Sequence, residues 1–192
     1  MKKNMLNLIV LVCMLISCSV STPAPTPSAA DIEKEEQAIY SLFLHDAGGA
    51  ALILQDTASE ISTEKPQQSI DYIKSGLESI SSETLNNYLS RNAQPSQLSP
   101  DMNLGMDYIL LSADELAEIF SQPNWNEFLA EKYPGSYGLY TFSRVGFNNS
   151  LDQAVIYVSN VAAPMMGAGF YYLMEKKNGK WLIKEQVNVW MS

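Results

Sequence analysis

The chain has 192 residues, of which 46% are hydrophobic and 17% are charged, and its formal net charge is −9 at pH 7. This composition is typical of a folded globular protein and excludes an intrinsically disordered chain. The excess of acidic residues also argues against nucleic acid as a partner, because proteins that bind phosphate backbones present patches of lysine and arginine.

The first residues have the organisation of an export signal. Lys2 and Lys3 precede an apolar run at residues 5–16, and Ser17 and Cys18 follow that run. A transmembrane helix needs about 20 predominantly apolar residues, and this run is shorter. We therefore predict a cleaved leader at residues 1–17. Loss of the two lysines with the leader would bring the net charge to −11.

The four residues Leu15-Ile16-Ser17-Cys18 resemble the lipobox of bacterial lipoproteins, in which the cysteine is acylated and begins the mature chain. The resemblance implies that Cys18 carries fatty acyl groups such as palmitate and holds the protein on a lipid bilayer. A thiolate is the nucleophilic side chain suited to accept a lipid. The alternative is an ordinary secretory signal that leaves Cys18 free or in a disulfide. Cys13, the only other cysteine, lies in the predicted leader.

Residues 18–30 are predicted to be a lipidated cysteine and a tether that leads to one globular domain at residues 31–192. Three prolines and several small residues make up this tether, and such a composition favours an extended backbone. Ser19 stands where aspartate would indicate retention in the inner membrane. We therefore expect a lipid-anchored protein of the bacterial cell envelope, on the outer membrane and facing the periplasm if the cell has two membranes.

The first part of the predicted domain has helical periodicity. Asp31 is the predicted N-cap of the first helix, whose glutamates Glu33, Glu35 and Glu36 are interpreted as a solvated first turn. Ser112 and Glu115 form a capping-box pattern that opens a later helix. The predicted helices cover residues 31–45, two stretches within 67–92, 112–120 and 124–133. Short apolar runs at residues 50–56 and 107–112 predict two strands.

After Gly135 the apolar period changes from about 3.6 to 2, which predicts strands. Four of them are expected, at residues 138–147, 151–160, 167–176 and 180–191. The predicted fold class is therefore α+β, with N-terminal helices packed on a four-stranded antiparallel meander. In architecture this arrangement is similar to NTF2-like and cystatin-like folds.

The pair Asn178-Gly179 predicts a type I′ turn between the last two strands, because both central positions of that turn require positive φ. The turn pairs Lys177 with Lys180 and so sets a register for the hairpin. The expected opposite pairs are Met174 with Ile183, Phe170 with Val187, Ala168 with Val189, Leu173 with Lys184, Tyr171 with Gln186 and Gly169 with Asn188. The face that contains Met174 is expected to pack on the helices, with Trp181 at its end.

Several stretches of the C-terminal half resemble a family of uncharacterised bacterial envelope proteins. These stretches read YPGSYG, FSRVGFN, QAVIYV, GAGFYYL and NGKW, and the chain finishes in VWMS. The resemblance implies an envelope location and brings no activity with it.

No catalytic motif is complete in this sequence. His45 is the only histidine, and no serine lies in a G-x-S-x-G pattern. A hydrolase would have to use His45 or a pair of carboxylates, whose spacing the sequence does not show. With one histidine and no thiol in the folded part, a zinc site is also disfavoured. We predict a non-catalytic protein without metal or cofactor.

The candidate ligand-binding residues are Arg144, Tyr140 and Phe142, which share one face of a predicted strand. Arg144 could offer its guanidinium to an anionic group while the two rings line a pocket. Alternatively, Arg144 has a structural role and pairs with an internal carboxylate or lies along the sheet edge. The apolar loop at residues 160–167 has two methionines that are either an exposed contact surface or core residues.

Together these patterns predict a membrane-anchored envelope lipoprotein whose domain binds an unknown protein or small-molecule ligand. One alternative is an envelope hydrolase that uses carboxylates or His45. The other is a structural or assembly role, in which the loop at residues 160–167 or the last strand joins another subunit.

Overall fold

The computed structural model describes residues 26–44 and 49–192. The predicted leader, Cys18, most of the tether and His45 lie outside these ranges. Within them the chain forms, in order, α1 (Ala29–Phe43), β1 (Ala51–Leu54), α2 (Pro66–Gly76), α3 (Ser82–Arg91), β2 (Tyr108–Leu111), α4 (Ala113–Phe120), α5 (Trp125–Lys132), β3 (Leu139–Phe142), β4 (Gly146–Phe147), β5 (Gln153–Ala163), β6 (Met166–Lys177) and β7 (Lys180–Met191).

The strands form one mixed sheet in the order β2-β1-β3-β5-β6-β7, with β4 paired to β5. Strand β1 is parallel to β2 and to β3, whereas the pairs from β3 to β7 are antiparallel. The α+β class is confirmed, but the four-stranded antiparallel meander is wrong. Strands β1 and β2 extend the sheet, because the helices between these short apolar runs supply the long connections that parallel pairing needs.

Helices cover both faces of this sheet. On one face, α1 packs through Ile39, Tyr40 and Phe43 against alternate residues of the strands. On the other, α2 and α3 pack against Tyr157 and Tyr171, and α4 and α5 pack against β1 and β3. Met174 and Trp181 of the last hairpin pack on α1, as predicted, but Tyr171 and Leu173 on the other face are buried as well. Residues 154–158 of β5 are an uninterrupted apolar run, a pattern that predicts burial on both faces, and all five are buried.

Helix α1 begins at Ala29, earlier than predicted. Ser28 is the N-cap: its hydroxyl accepts a hydrogen bond from the Asp31 backbone N–H, and the Asp31 carboxylate accepts one from the Ser28 backbone. This reciprocal pair is a capping box, so Asp31 is the third helical residue rather than the cap. Ala29 and Ala30, at the end of the predicted tether, belong to the helix.

Helix α4 confirms the predicted capping box at Ser112 and Glu115. The Glu115 carboxylate accepts hydrogen bonds from the Ser112 backbone N–H at 2.8 Å and from its hydroxyl at 2.7 Å. We expect Ser112→Ala to lower the free energy of unfolding by about 1 kcal/mol, because an N-terminal amide loses its acceptor. Ser112→Asp keeps an acceptor and should lose less than half of that in urea denaturation. Equal losses for the two variants would contradict this account.

The predicted strand at residues 138–147 is interrupted between β3 and β4. The Ser143 hydroxyl accepts a hydrogen bond from the Tyr157 backbone N–H at 2.9 Å, so the ladder continues through a side chain there. The Arg144 backbone is held by Asn92, at the end of α3, which accepts from its N–H and donates to its C=O. The interruption turns the Arg144 side chain toward α1.

The last hairpin has the predicted turn, with φ of 51° at Asn178 and 78° at Gly179. The predicted register holds from the turn to Met174 opposite Ile183 and is wrong beyond it, because β-bulges intervene near Met174 and near Gly169. The observed pairs are Leu173 with Glu185, Tyr171 with Val187, Phe170 with Asn188, Gly169 with Trp190 and Ala168 with Met191. The second bulge lets the Trp190 indole lie over Gly169 and donate to the Tyr157 hydroxyl at 2.7 Å.

Candidate functional site

An apolar groove of about 630 Å³ lies on the α1 face of the sheet. We define the apolar groove by its walls and its rim. The walls come from the end of α1, from β3 and its preceding turn, and from β5, β6 and β7; they include Phe43, Tyr137, Tyr140, Phe170 and Tyr172. The rim includes Leu42, Met165, Met166, Ile183 and Met191.

The apolar groove exists because one helix cannot cover this face. Strands β6 and β7 have 12 residues each, which at about 3.3 Å per residue is about 40 Å. Helix α1 has 15 residues, which at about 1.5 Å per residue is about 22 Å. In the part of the chain that the structure describes, no other helix packs on this face, so the far ends of the strands stay open.

The surface of the apolar groove gathers exposed apolar side chains. None of its lining side chains is charged. Six of the nine large apolar side chains that are exposed among the described residues lie on it: Leu42, Tyr137, Met165, Met166, Ile183 and Met191. A patch of exposed apolar side chains gathered in one concavity marks an interaction site, whereas apolar side chains scattered singly do not.

The hairpin tip between β5 and β6 forms one end of the groove. The stretch at residues 160–167 is not a loop throughout, since β5 reaches Ala163 and β6 begins at Met166. Met165 is 87% exposed and Met166 is 57% exposed, so the interpretation of these methionines as core residues is wrong. Unbranched, polarisable methionine side chains adapt their shape to a bound surface.

The polar groups of the apolar groove are neutral side chains. Partial burial raises the pKa of Tyr172 above the usual value of a tyrosine, so this wall stays neutral at physiological pH. The polar residues Ser159, Asn160 and Gln186 also line it. Asn160 donates a hydrogen bond to the Tyr137 carbonyl at 3.2 Å, which fastens the turn before β3 to the sheet.

A second concavity, which we call the arginine pocket, has a volume of about 460 Å³ and lies between α1, α3, residues 98–102 and Arg144. Glu36 is its central group and is only 3% exposed. Arg144 donates from Nε to Oε1 at 3.0 Å and from Nη2 to Oε2 at 2.6 Å. Arg91 donates from Nη2 to both oxygens at 3.0 Å, and the Val145 backbone N–H donates to Oε1 at 2.8 Å.

The electrostatics of this cluster keep Arg144 charged. Partial burial lowers the pKa of the Arg144 guanidinium, but the adjacent Glu36 carboxylate outweighs that effect, and the pKa lies above its usual value. Glu35, the neighbour of Glu36 in α1, accepts hydrogen bonds from Lys176 Nζ and Trp181 Nε1, each at 2.6 Å. Both glutamates therefore fasten α1 to the rest of the fold, and the interpretation of this turn as solvated is wrong for them.

The three predicted binding residues do not form one pocket. Arg144 lines the arginine pocket and pairs with Glu36, which agrees with the alternative prediction that it pairs with an internal carboxylate. Phe142 is 0% exposed and contacts the rings of Tyr40 and Tyr140, with centroids 4.7 Å and 6.2 Å away. Tyr140 is 5% exposed and forms a wall of the apolar groove, whereas the tyrosine that lines the arginine pocket is Tyr40. Phe142 lines neither.

Sequence reasoning missed Arg91 and misjudged Glu36. The sequence contains one signal, since only two of its twelve basic residues are arginines. In the structure both arginines contact the same carboxylate. A rare residue type that carries a forked donor is a natural partner for a buried carboxylate. What the sequence cannot show is which of its acidic residues is buried.

Within residues 26–44 and 49–192, no helix is long and apolar enough to cross a membrane. The same residues contain no group of three or more histidine, cysteine, aspartate or glutamate side chains placed to hold a metal ion. Comparisons of the chain with protein-family models, with curated proteins and with solved structures find no match. The likenesses to an envelope protein family and to NTF2-like or cystatin-like folds therefore stay predictions.

Proposed function

We propose that this chain is a lipid-anchored protein of the bacterial envelope whose domain binds an uncharged apolar ligand, such as an acyl chain, in the apolar groove. The observation that carries the proposal is the gathering of six exposed large apolar side chains on one uncharged concave surface. The ligand is bound and not transformed.

The dimensions and lining of the groove support a small ligand. Its volume of about 630 Å³ falls within the range of about 300–1,000 Å³ that is typical of ligand pockets. Aromatic and methionine side chains supply adaptable apolar contacts. A charged group bound there would lose its hydration without gaining a charged partner, so the bound part of the ligand is uncharged.

The membrane anchor is supported by the resemblance of Leu15-Ile16-Ser17-Cys18 to a lipobox. We expect bacteria that express the full chain and are fed radioactive palmitate to label the wild-type protein and not the Cys18→Ala variant. Equal labelling of both proteins would contradict the anchor. Fractionation of the two membranes, where the cell has two, tests the expected outer-membrane location.

The binding test compares two neighbouring residues of β7. Ile183 is 51% exposed and lies on the apolar groove, whereas Leu182 is 50% exposed and lies on the opposite face. The mature chain with Cys18→Ser is exported without lipid and titrated with the uncharged fluorophore N-phenyl-1-naphthylamine. We expect Ile183→Lys to weaken binding at least tenfold, because the new charge would be desolvated by the probe, and Leu182→Lys to leave it unchanged.

Two outcomes would contradict the proposed groove function. Equal weakening by both lysine variants would show that the probe reports general surface hydrophobicity. Failure of the wild-type domain to bind the probe, together with self-association that Ile183→Lys abolishes in size-exclusion chromatography, would favour the assembly alternative. The hydrolase alternative requires His45 or a pair of carboxylates. His45 lies outside the described residues, and the neighbouring carboxylates Glu35 and Glu36 already bind basic or indole side chains, so this pair gives the alternative no support.

A further inference from the structure

We propose that the arginine pocket is a second binding site, independent of the apolar groove, and that it takes a monoanionic carboxylate attached to a short apolar body. Both arginines of the chain converge on it from different elements: Arg91 from the last turn of α3 and Arg144 from the break between β3 and β4. One carboxylate, Glu36, lies between them.

The charge of this cluster is not balanced by its own carboxylate. Two guanidiniums and Glu36 give a formal charge of +1. Glu36 already accepts five hydrogen bonds, from Arg91, Arg144 and the Val145 backbone. Its single negative charge cannot neutralise both guanidiniums. Glu33 also lines the pocket and helps to raise the pKa of Arg144, but it is exposed, so water weakens its interaction with the two guanidiniums. The interior therefore favours an added single negative charge and disfavours a dianion.

The arginines also keep donors that the described residues do not use. A guanidinium has five N–H groups. Within residues 26–44 and 49–192, the Nε and Nη1 atoms of Arg91 and the Nη1 atom of Arg144 have no hydrogen-bond acceptor, although both side chains line the pocket. The Arg91 and Arg144 side chains are 18% and 30% exposed, and among the described residues no buried side-chain nitrogen or oxygen lacks a partner, so these donors are in contact with solvent. A carboxylate matches the planar geometry of such donors.

The rest of the pocket is largely apolar and defines the body of the ligand. Ala29 and Ile32 of α1 face Leu98 and Met102 across the cavity, and the volume is about 460 Å³. This space suits a short aliphatic or aromatic group next to the carboxylate. An inorganic oxyanion would leave these apolar walls without contact.

The test is calorimetric titration of the non-lipidated mature chain (Cys18→Ser) at pH 7 with three probes: hexanoate, 1-hexanol and inorganic phosphate. We expect hexanoate to bind and the other two to bind at least tenfold more weakly. Arg91→Gln should weaken hexanoate at least tenfold, while Lys74→Gln, which removes one exposed positive charge elsewhere, should leave it unchanged. Arg91→Gln keeps the Arg144–Glu36 pair, and its folding is checked by circular dichroism.

Ala29→Trp provides a second variant, because it fills the pocket from an exposed position without touching the ion pairs. It should also weaken hexanoate binding. If hexanoate binds equally to wild type, Arg91→Gln and Ala29→Trp, it binds outside the arginine pocket, and the proposal is overturned. If 1-hexanol binds as tightly as hexanoate, the carboxylate is not recognised and the apolar groove is the indicated site, which also overturns the proposal. Tighter binding of phosphate than of hexanoate overturns the carboxylate class, and no binding of any probe overturns the site.

Discussion

Replacing Glu36 with alanine is expected to lower the free energy of unfolding by about 3–5 kcal/mol, as for the loss of one partner from a buried ion pair. Two guanidiniums would then face each other without the carboxylate that separates them, and the buried Val145 N–H would lose its acceptor. Urea denaturation followed by circular dichroism measures the loss. The cost reflects stranded charges and not the net value of the cluster.

Glu33 provides the matched control for this prediction. It lies one helical turn before Glu36 in α1 and is exposed, so Glu33→Ala should change stability by no more than about 0.5 kcal/mol. The variant Glu36→Gln, combined with Arg91→Gln in a double-mutant cycle, should show coupling of at least about 0.5 kcal/mol, because the two side chains are in contact. A loss for Glu36→Ala no larger than that for Glu33→Ala would refute the buried role of Glu36.

Gly146→Ala is expected to destabilise the domain by about 3 kcal/mol, at the upper end of the usual cost of overpacking. A Cβ atom at Gly146 would lie 2.4 Å from the Tyr88 Cβ and 2.5 Å from both the Cα and the backbone nitrogen of Tyr88. These atoms belong to α3 and are fixed by its hydrogen bonds, so the contact cannot be relieved by a side-chain rotation. Strand β4 would have to move away from the helix.

Gly105→Ala is the control for Gly146→Ala, because backbone strain and not lack of space opposes an added Cβ at Gly105. Gly105 has φ of +74°, and a Cβ built there meets no atom within 4 Å. Its substitution should therefore cost only the strain of the left-handed backbone, about 1–2 kcal/mol. Urea denaturation of both variants should give the larger loss for Gly146→Ala, and the reverse order would show that β4 and α3 can separate at little cost.

Local elements of the fold could be predicted because their causes lie within a few residues. The capping box at Ser112 depends on Glu115, three residues away, and the hairpin turn depends on Asn178 and Gly179 themselves. The apolar run at residues 154–158 of β5 indicates burial on both faces, and the structure buries these residues. In each case the chemistry that forms the element is contained in the element.

Errors appeared where an element depends on a distant partner. The register of β6 and β7 matches the prediction only between the turn and the first bulge, near Met174. At the second bulge, near Gly169, the Trp190 indole lies over Gly169 and donates to the Tyr157 hydroxyl, a partner on another strand. The break between β3 and β4 was missed for the same reason. Asn92 and Glu36, which hold Arg144 there, are remote from it in the chain.

The sequence by itself indicated the hydrophobic periods of the helices and strands, the cap at Ser112 and the turn at Asn178-Gly179, and its first 18 residues have a pattern that predicts a leader and an acylated Cys18. Tertiary structure alone decided that β1 and β2 join the sheet, that one short helix leaves the apolar groove open, and that both arginines meet at Glu36. The physical reason is that hydrophobic periodicity records whether a residue is buried and not what it is buried against.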